Sequence, residues 1–246
     1  FDVSQYFPSE IAISITAASR FVLDLSHATR KRSGTMTEAQ RKRAAEIYPR
    51  VAFERGAIGR GFQDLLASLR EEPRFWMPGV LVLTTDEKKE YESAFVRSAL
   101  FREQDGEHRA VHERVSSKLS RNYQNPLFPS NYLDREIRKD QANHHRETTC
   151  FNRNVANGMA RLACYLVHHN YRKRFLIKAR VEDGRVHGEV AGIDRGRIDG
   201  ALVGMFERRV FLSRIKLPAT LEKIWRKAFV TPLKMRPEHL PRFAFD

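Results

Sequence analysis

Three sets of oxygen-bearing side chains stand out along this 246-residue sequence. Asp2 lies on the opening run "FDVSQYF", which alternates like a strand, and Asp86 closes the apolar run "GVLVLTTD". The third set lies in "FPSNYLDREIRKDQANHHRETTCF", where Asn131, Asp134, Glu136, Asp140 and Glu147 are interleaved with Arg135, Arg138, Lys139 and Arg146. Oxygen ligands arriving from two strands and a helix suit a divalent-metal site for phosphodiester chemistry. Mg²⁺ is bound through a few carboxylates plus water and phosphate, and two such ions activate the attacking oxygen and stabilise the leaving one. Each residue also has a plain structural reading. Asp86 reads as a helix cap, Asp24 on the next strand competes with Asp2, and Asp134 and Glu136 are spaced to pair with Arg138 and Lys139 on a helix surface.

Composition narrows the setting. Lys plus Arg outnumber Asp plus Glu by 44 to 30, a formal charge of +14, and 41% of residues are hydrophobic, enough for a packed interior. A field of that sign attracts polyanions, nucleic acid first among them. Only Cys150 and Cys164 are present, so there is no disulfide framework and no C-x-x-C zinc pair; a reduced, cytoplasmic protein is expected. No apolar run approaches the roughly 18 residues of a membrane span. The chain opens without an initiator methionine or leader, which reads as a fragment with a natural N-terminal portion upstream.

The elements that must position these residues follow from periodicity. "FDVSQYF", "EIAISITAAS" and "RFVLDLSHA" read as three antiparallel strands, with Pro8 and Ser9 at the first turn and Ile11, Ile13 and Ile15 on one face. Thr37 and Gln40 stand at capping-box spacing ahead of a helix, and "IGRGFQDLLASLREE" reads as another. Val80 to Leu83 read as a buried parallel strand, followed by a helix with Tyr91 and Phe95 on one face. "HERVSSKLSRNYQNPLFPSN" reads as loop. Helices are expected from about Asn131 toward His145 and from Asn152 to His169, then a hairpin about Asp183-Gly184. Two basic amphipathic helices, in "RIDGALVGMFERRVFLSRI" and "TLEKIWRKAF", precede a proline-punctuated tail. The pair His108/His112 reads as surface residues, His144/His145 and His168/His169 as phosphate contacts or plain surface residues, Trp76 and Trp225 as packing anchors, and both cysteines as buried small side chains.

The runs "TTDEKKEY", "HERVSSK" and "SNYLDREIRKDQANHHRETTCFNRNV" resemble the catalytic end of bacterial insertion-sequence transposases, nearest the insertion-sequence-one type. The second acid of that family stands in a T-D-x-x-x-x-Y run, matched by Thr85, Asp86 and Tyr91. Its late R-x-T-x-x-F-S signature is matched by Arg146, Thr148 and Phe151, and its first acid opens the domain, where Asp2 stands. At the third acid, a glutamate in the family, this chain has Asn131; the arginine seven residues on is matched by Arg138. The similarity covers residues 80–175 better than 1–30 and leaves the chain from about 176 uncovered.

The resemblance implies an α/β fold: a ribonuclease-H-like mixed sheet with flanking helices over residues 1–175, and a basic C-terminal extension over 176–246. It implies a Mg²⁺-dependent DNA transposase (Mn²⁺ as substitute) that cleaves transposon ends and transfers the 3′-hydroxyl to target DNA. Asp2, Asp86 and Asn131, with Asp134 one turn along, would form a D-D-N-type site. Arg135, Arg138, Lys139 and Arg146 would hold phosphates of double-stranded DNA, in a nucleoid-associated homodimer or larger assembly. Asn131 in the glutamate position favours one rival, a decayed or domesticated transposase that binds DNA without cutting it. Another nuclease on the same fold, such as a resolvase or ribonuclease, is the second rival.

Overall fold

The computed structural model describes residues 2–4, 7–32, 35–71, 79–102, 108–145, 152, 154–176, 184–207, 216–226, 228–231 and 236–237. It is a mixed α/β protein of helices and small sheets. Strands β1 (Asp2–Ser4), β2 (Phe7–Ile15) and β3 (Val22–Thr29) form an antiparallel meander in the order β1-β2-β3, as the alternation predicts. Pro8 lies inside β2 rather than in the first turn. The β2–β3 turn is closed by Thr16 N–H donating to Phe21 O at 2.9 Å, and Arg20 takes a left-handed φ of 51°. That conformation is uncommon for a residue with a side chain, and the surroundings hold it. His187 Nδ1 lies 2.8 Å from Ser19 O, His169 Nε2 lies 2.9 Å from Arg20 O, and the Arg20 guanidinium sits over the Phe175 and Tyr132 rings.

Helices cover both faces of this sheet. Helix α1 (Glu38–Ile47) starts with the expected capping box between Thr37 and Gln40. Helix α2 (Ala57–Arg70) presents Phe62, Leu65, Leu66 and Leu69 at i, i+3, i+4, i+7 spacing, all buried. Gly61 lets α2 approach β3 closely, since a Cβ there would meet Ser26 Oγ at 3.0 Å. This apolar face packs with Ala12 and Leu23 of the sheet, with Ala94 and Phe95 of α3 (Lys89–Val96), and with Leu81 and Leu83 of β4 (Gly79–Thr85). On the opposite face, Ile11, Val22 and Leu25 pack with Leu133 and Ile137 of α5 (Phe128–Asp140) and with Met159, Leu162 and Leu166 of α6 (Val155–Tyr171). Each such buried branched or aromatic side chain contributes about 1.5–3 kcal/mol.

After α4 (Ala99–Arg102), strand β4 pairs in parallel with β5 (His108–Arg114), from Gly79↔His108 to Thr85↔Arg114. The parallel pairing is as expected; full burial of β4 is not. Val80 is 58% and Val82 47% exposed, because α2 and α3 cover only the face carrying Leu81 and Leu83. The "HER" of the expected loop is the end of β5, residues 115–127 precede α5, and "FPSN" is the first turn of α5.

Past α6, Arg174 and Val186 form one isolated antiparallel bridge, whose pairing is not centred on the expected Asp183-Gly184 turn; residues 177–183 lie outside the described residues. "HGEV" is the short helix α7 (His187–Val190) rather than a returning strand. Helices α8 (Arg195–Glu207) and α9 (Ala219–Trp225) follow, then β6 (Val230–Thr231) and β7 (Arg236–Pro237). Phe229 and Ile224 from this C-terminal part pack into the α5–α6 core. No helix among the described residues is long and apolar enough to cross a membrane.

Several single-residue readings change. His144 and His169 are fully buried rather than on the surface, Cys164 is exposed, and Trp225 is 44% exposed. Trp76 and Cys150 lie outside the described residues.

Candidate functional site

The sequence candidates from β4 and α5 come together. Asp86, Asn131 and Asp134 line one open cleft of about 290 Å³, with Glu10, Arg30 and Lys88. Asp86 stands directly beyond the C-terminal end of β4, where its Oδ1 accepts from Lys88 N at 3.3 Å and helps to turn the chain into α3. Thr85, the last residue of the strand, donates its hydroxyl to Asp86 O at 2.8 Å and lies 2.8 Å from His112 Nε2. His112 is therefore tied to the strand end, half-buried and 5.3 Å ring to ring from Phe95. His108 is also on β5, so the pair lies on a strand and not on a helix.

Helix α5 brings in the opposite wall. Pro129 in its first turn suits a helix start, and Leu133 and Ile137, one turn apart, anchor it in the core. Asn131 and Asp134 are then turned toward the cleft, with Asp134 3.5 Å from Arg138. That pair is the one the helical spacing predicts. Glu136 is different: it is 3% exposed and pairs with Lys173, not with Lys139. Lys173 also reaches Asp140 at 2.6 Å, and Tyr165 donates to Asp140 at 2.9 Å. Burial opposes the Lys173 charge, but the hydrogen bonds to Asp140 and Glu136 outweigh it and raise its pKa. Arg135 and Lys139 are exposed on the outer face of α5, Arg135 with its guanidinium 5.4 Å from the Tyr132 ring centre.

The backbone of Asp2 is placed beside the site: its Cα pairs with that of Glu10, which lines the cleft. Its side chain lies outside the described residues, and so does Arg146. The rival acid Asp24 lies away from the cleft, its carboxylate accepting from Ser68 Oγ at 2.5 Å and from Leu25 N at 2.7 Å. Burial raises the Asp24 pKa against those two hydrogen bonds.

Sequence reasoning missed Glu10. It is 5% exposed on β2 and ion-paired with both Lys88 and Arg30. Burial pushes its pKa up, but Lys88 and Arg30 outweigh burial and hold it below the ordinary value. Lys88 mirrors this: burial opposes its charge, while Tyr91, Glu10 and Asp86 raise its pKa. Burial lifts the Tyr91 hydroxyl to about 12, so it is a neutral donor at neutral pH. No local pattern marks Glu10, because its partners stand 20 and 78 positions away.

Chemically the cleft combines hard oxygen donors with fixed cations. Asp86, Asp134 and the Asn131 carbonyl are the donor types Mg²⁺ or Mn²⁺ takes, so the set fits such an ion in kind. Among the described residues no three His, Cys, Asp or Glu side chains converge closely enough to hold a metal. No protein-family model, curated protein or solved structure matches the chain.

Proposed function

We propose that the chain acts on double-stranded DNA as a metal-dependent strand-cleaving and strand-joining enzyme of the DDE transposase kind, with a D-D-N-type site on a ribonuclease-H-like sheet. One observation carries this reading: a strand-end aspartate and two polar residues on a separate helix, 45 or more positions apart in sequence, share one open cleft in a chain of net charge +14. Asp86, Asn131 and Asp134, with Asp2 alongside Glu10, would hold Mg²⁺ or Mn²⁺. When bound, such an ion neutralises phosphate charge and acidifies the attacking oxygen. The protein's own groups do the rest. Arg135 and Lys139 engage the duplex backbone from the outer face of α5, Arg138 and Arg30 add positive charge near the cleft, and Lys88 stands beside Asp86, where a phosphate would enter. The protein would act as a dimer or larger assembly holding two DNA ends.

The experiment is nicking of supercoiled plasmid, and joining of a duplex with a free 3′-hydroxyl, in Mg²⁺ and in Mn²⁺. Wild type is compared with Asp86→Ala and Asn131→Ala. Metal-dependent products lost in Asp86→Ala support the reading, and joined products separate a transposase from a nuclease that only cuts. Tight duplex binding without products in either metal refutes it. That outcome belongs to the second reading, a DNA-binding relic, which is favoured by Asn131 in the carboxylate position and by the double ion pairing of Glu10.

A further inference from the structure

The loop that joins the two walls of the cleft carries an aromatic side chain that the fold does not use. Residues 115–127 lead from the end of β5 to the first turn of α5. At its start, Val115 N–H donates to Thr85 O at 2.9 Å, one residue from Asp86. At its end, Leu127 lines the cleft, and Ser130, Asn131 and Asp134 line it from α5. The path between is fixed by Asn125, a buried polar residue. The Asn125 side chain donates to Ser120 O at 2.9 Å and accepts from Leu127 N at 2.8 Å. Its backbone donates to Asn122 O at 3.2 Å and accepts from Phe128 N at 2.8 Å, and Asn122 Oδ1 accepts from Gln124 N at 3.1 Å within the same turn. Side-chain-to-backbone bonds of this kind hold a turn in one conformation.

Tyr123 stands in the turn from Asn122 to Asn125. At 77% exposure it is the most exposed large hydrophobic side chain among the described residues. It makes no hydrogen bond and no ring contact with any described residue. Lys118 and Arg121, exposed on the same loop, have no carboxylate partner among the described residues. A single apolar residue in water normally needs no explanation. Here a ring held out on a fixed turn coincides with two uncompensated cations and with attachment to both cleft walls. The cations select a polyanion, and the ring selects a flat partner. Base faces inside a duplex are covered by their neighbours, so an aromatic presented from a loop stacks on a base that is unpaired. Tyrosine suits this use, because its large rigid ring loses little conformational freedom on binding. Tyr123 is also within about 14 Å of Leu127 at full chain extension, so a base stacked on it belongs to a strand that enters the cleft.

We propose that Tyr123 is a stacking platform for an unpaired base of the DNA strand entering the cleft, with Lys118 and Arg121 on the adjoining phosphates. The protein then distinguishes DNA with unpaired nucleotides, at a frayed end, a gap or an overhang, from DNA that is fully paired. Stacking tolerates any base, because every base has a π-face, so the preference is for an unpaired state and not for a sequence. This inference rests on the DNA-binding part of the reading above and not on its metal chemistry.

Binding in EDTA, where no metal-dependent cleavage intervenes, tests it on two duplexes, one fully paired and one ending in a short 3′ overhang that carries 2-aminopurine. The overhang duplex is expected to bind more tightly, with its 2-aminopurine emission quenched on binding. Tyr123→Ala should remove that preference, a loss of about 5- to 100-fold on the overhang duplex, and leave the paired duplex unchanged. Tyr123→Phe, which keeps the ring, should retain both the preference and the quenching. Equal affinity of the wild type for the two duplexes overturns the proposal, as does equal weakening of both by Tyr123→Ala. A change of oligomeric state in Tyr123→Ala with the preference intact also overturns it, since the ring then serves a protein contact. Adding Mg²⁺ and following products afterwards tests the cleavage chemistry separately: a preference without products leaves the stacking site standing and the enzyme reading refuted.

Discussion

Replacing Lys173 by methionine strands the Glu136 carboxylate. Its side chain is 4% exposed, and Lys173 Nζ is its ion-pair partner at the joint between α5 and α6. Removing one member of a buried pair costs about 3–5 kcal/mol. Urea unfolding at pH 7 reads this directly, and with m near 3 kcal/mol per molar a loss of about 3 kcal/mol shifts the midpoint by about 1 M. Glu136→Gln in the Lys173→Met background should recover most of the loss, because no unpaired charge is then left buried. A loss below about 1 kcal/mol, or no recovery in the double variant, would refute the claim that a buried charge pair anchors α5. Because Asn131 and Asp134 sit on that helix, the same variant should weaken any cleavage activity without touching the cleft.

Two further outcomes are expected. Burial holds His144 and His169 at a pKa of about 4, so as pH falls below the ordinary value near 6.5 the unfolded chain takes up protons the core refuses. Stability should then be lost between pH 6.5 and 4, by up to about 3 kcal/mol per histidine. The urea midpoint should fall steeply from pH 7 to 5, less so in His169→Gln, and a flat profile would contradict their burial as neutral rings. Arg135→Ala and Lys139→Ala, both exposed on α5, should each weaken binding of a fluorescent 30-base-pair duplex and lower the salt slope by about 0.9 per lost phosphate contact; unchanged slopes would remove α5 from the DNA interface.

Much of the scaffold was legible because its signals are local. The isoleucines at 11, 13 and 15 mark a strand with one apolar face, and Thr37 with Gln40 marks a helix start. The 3.6-residue stripe through Phe62, Leu65 and Leu69 marks α2. Where a reading failed, the deciding contact came from far along the chain. The unbroken apolar run suggests that Val80 and Val82 are buried, but burial depends on whether a second layer lies over β4, and α2 and α3 cover one face only. Paired histidines on a helix read as polar surface. His169 is instead buried because its ring stacks on His187 at 4.0 Å and closes onto the carbonyl of Arg20.

The site shows the same division. Asp86 was legible as a strand-end acid and Asn131 only through the resemblance, as the residue at the position of that family's glutamate, and α5 and β4 bring both to one cleft. Glu10 was not, since a glutamate flanking an apolar strand normally faces water. It is buried because Lys88, carried in by the turn after β4, and Arg30, just past β3, close over it. That arrangement gives Lys88 two anionic neighbours, Glu10 and Asp86. On the proposed reading, an incoming phosphate would compete with Glu10 for Lys88, leaving the buried carboxylate with Arg30 and one fewer cation, a deficit that a metal ion in the cleft would offset. In such a cleft, occupation by polyanion would be linked to occupation by cation. Duplex affinity should therefore rise on adding Mg²⁺ at constant ionic strength, whereas general screening by the ion would lower it.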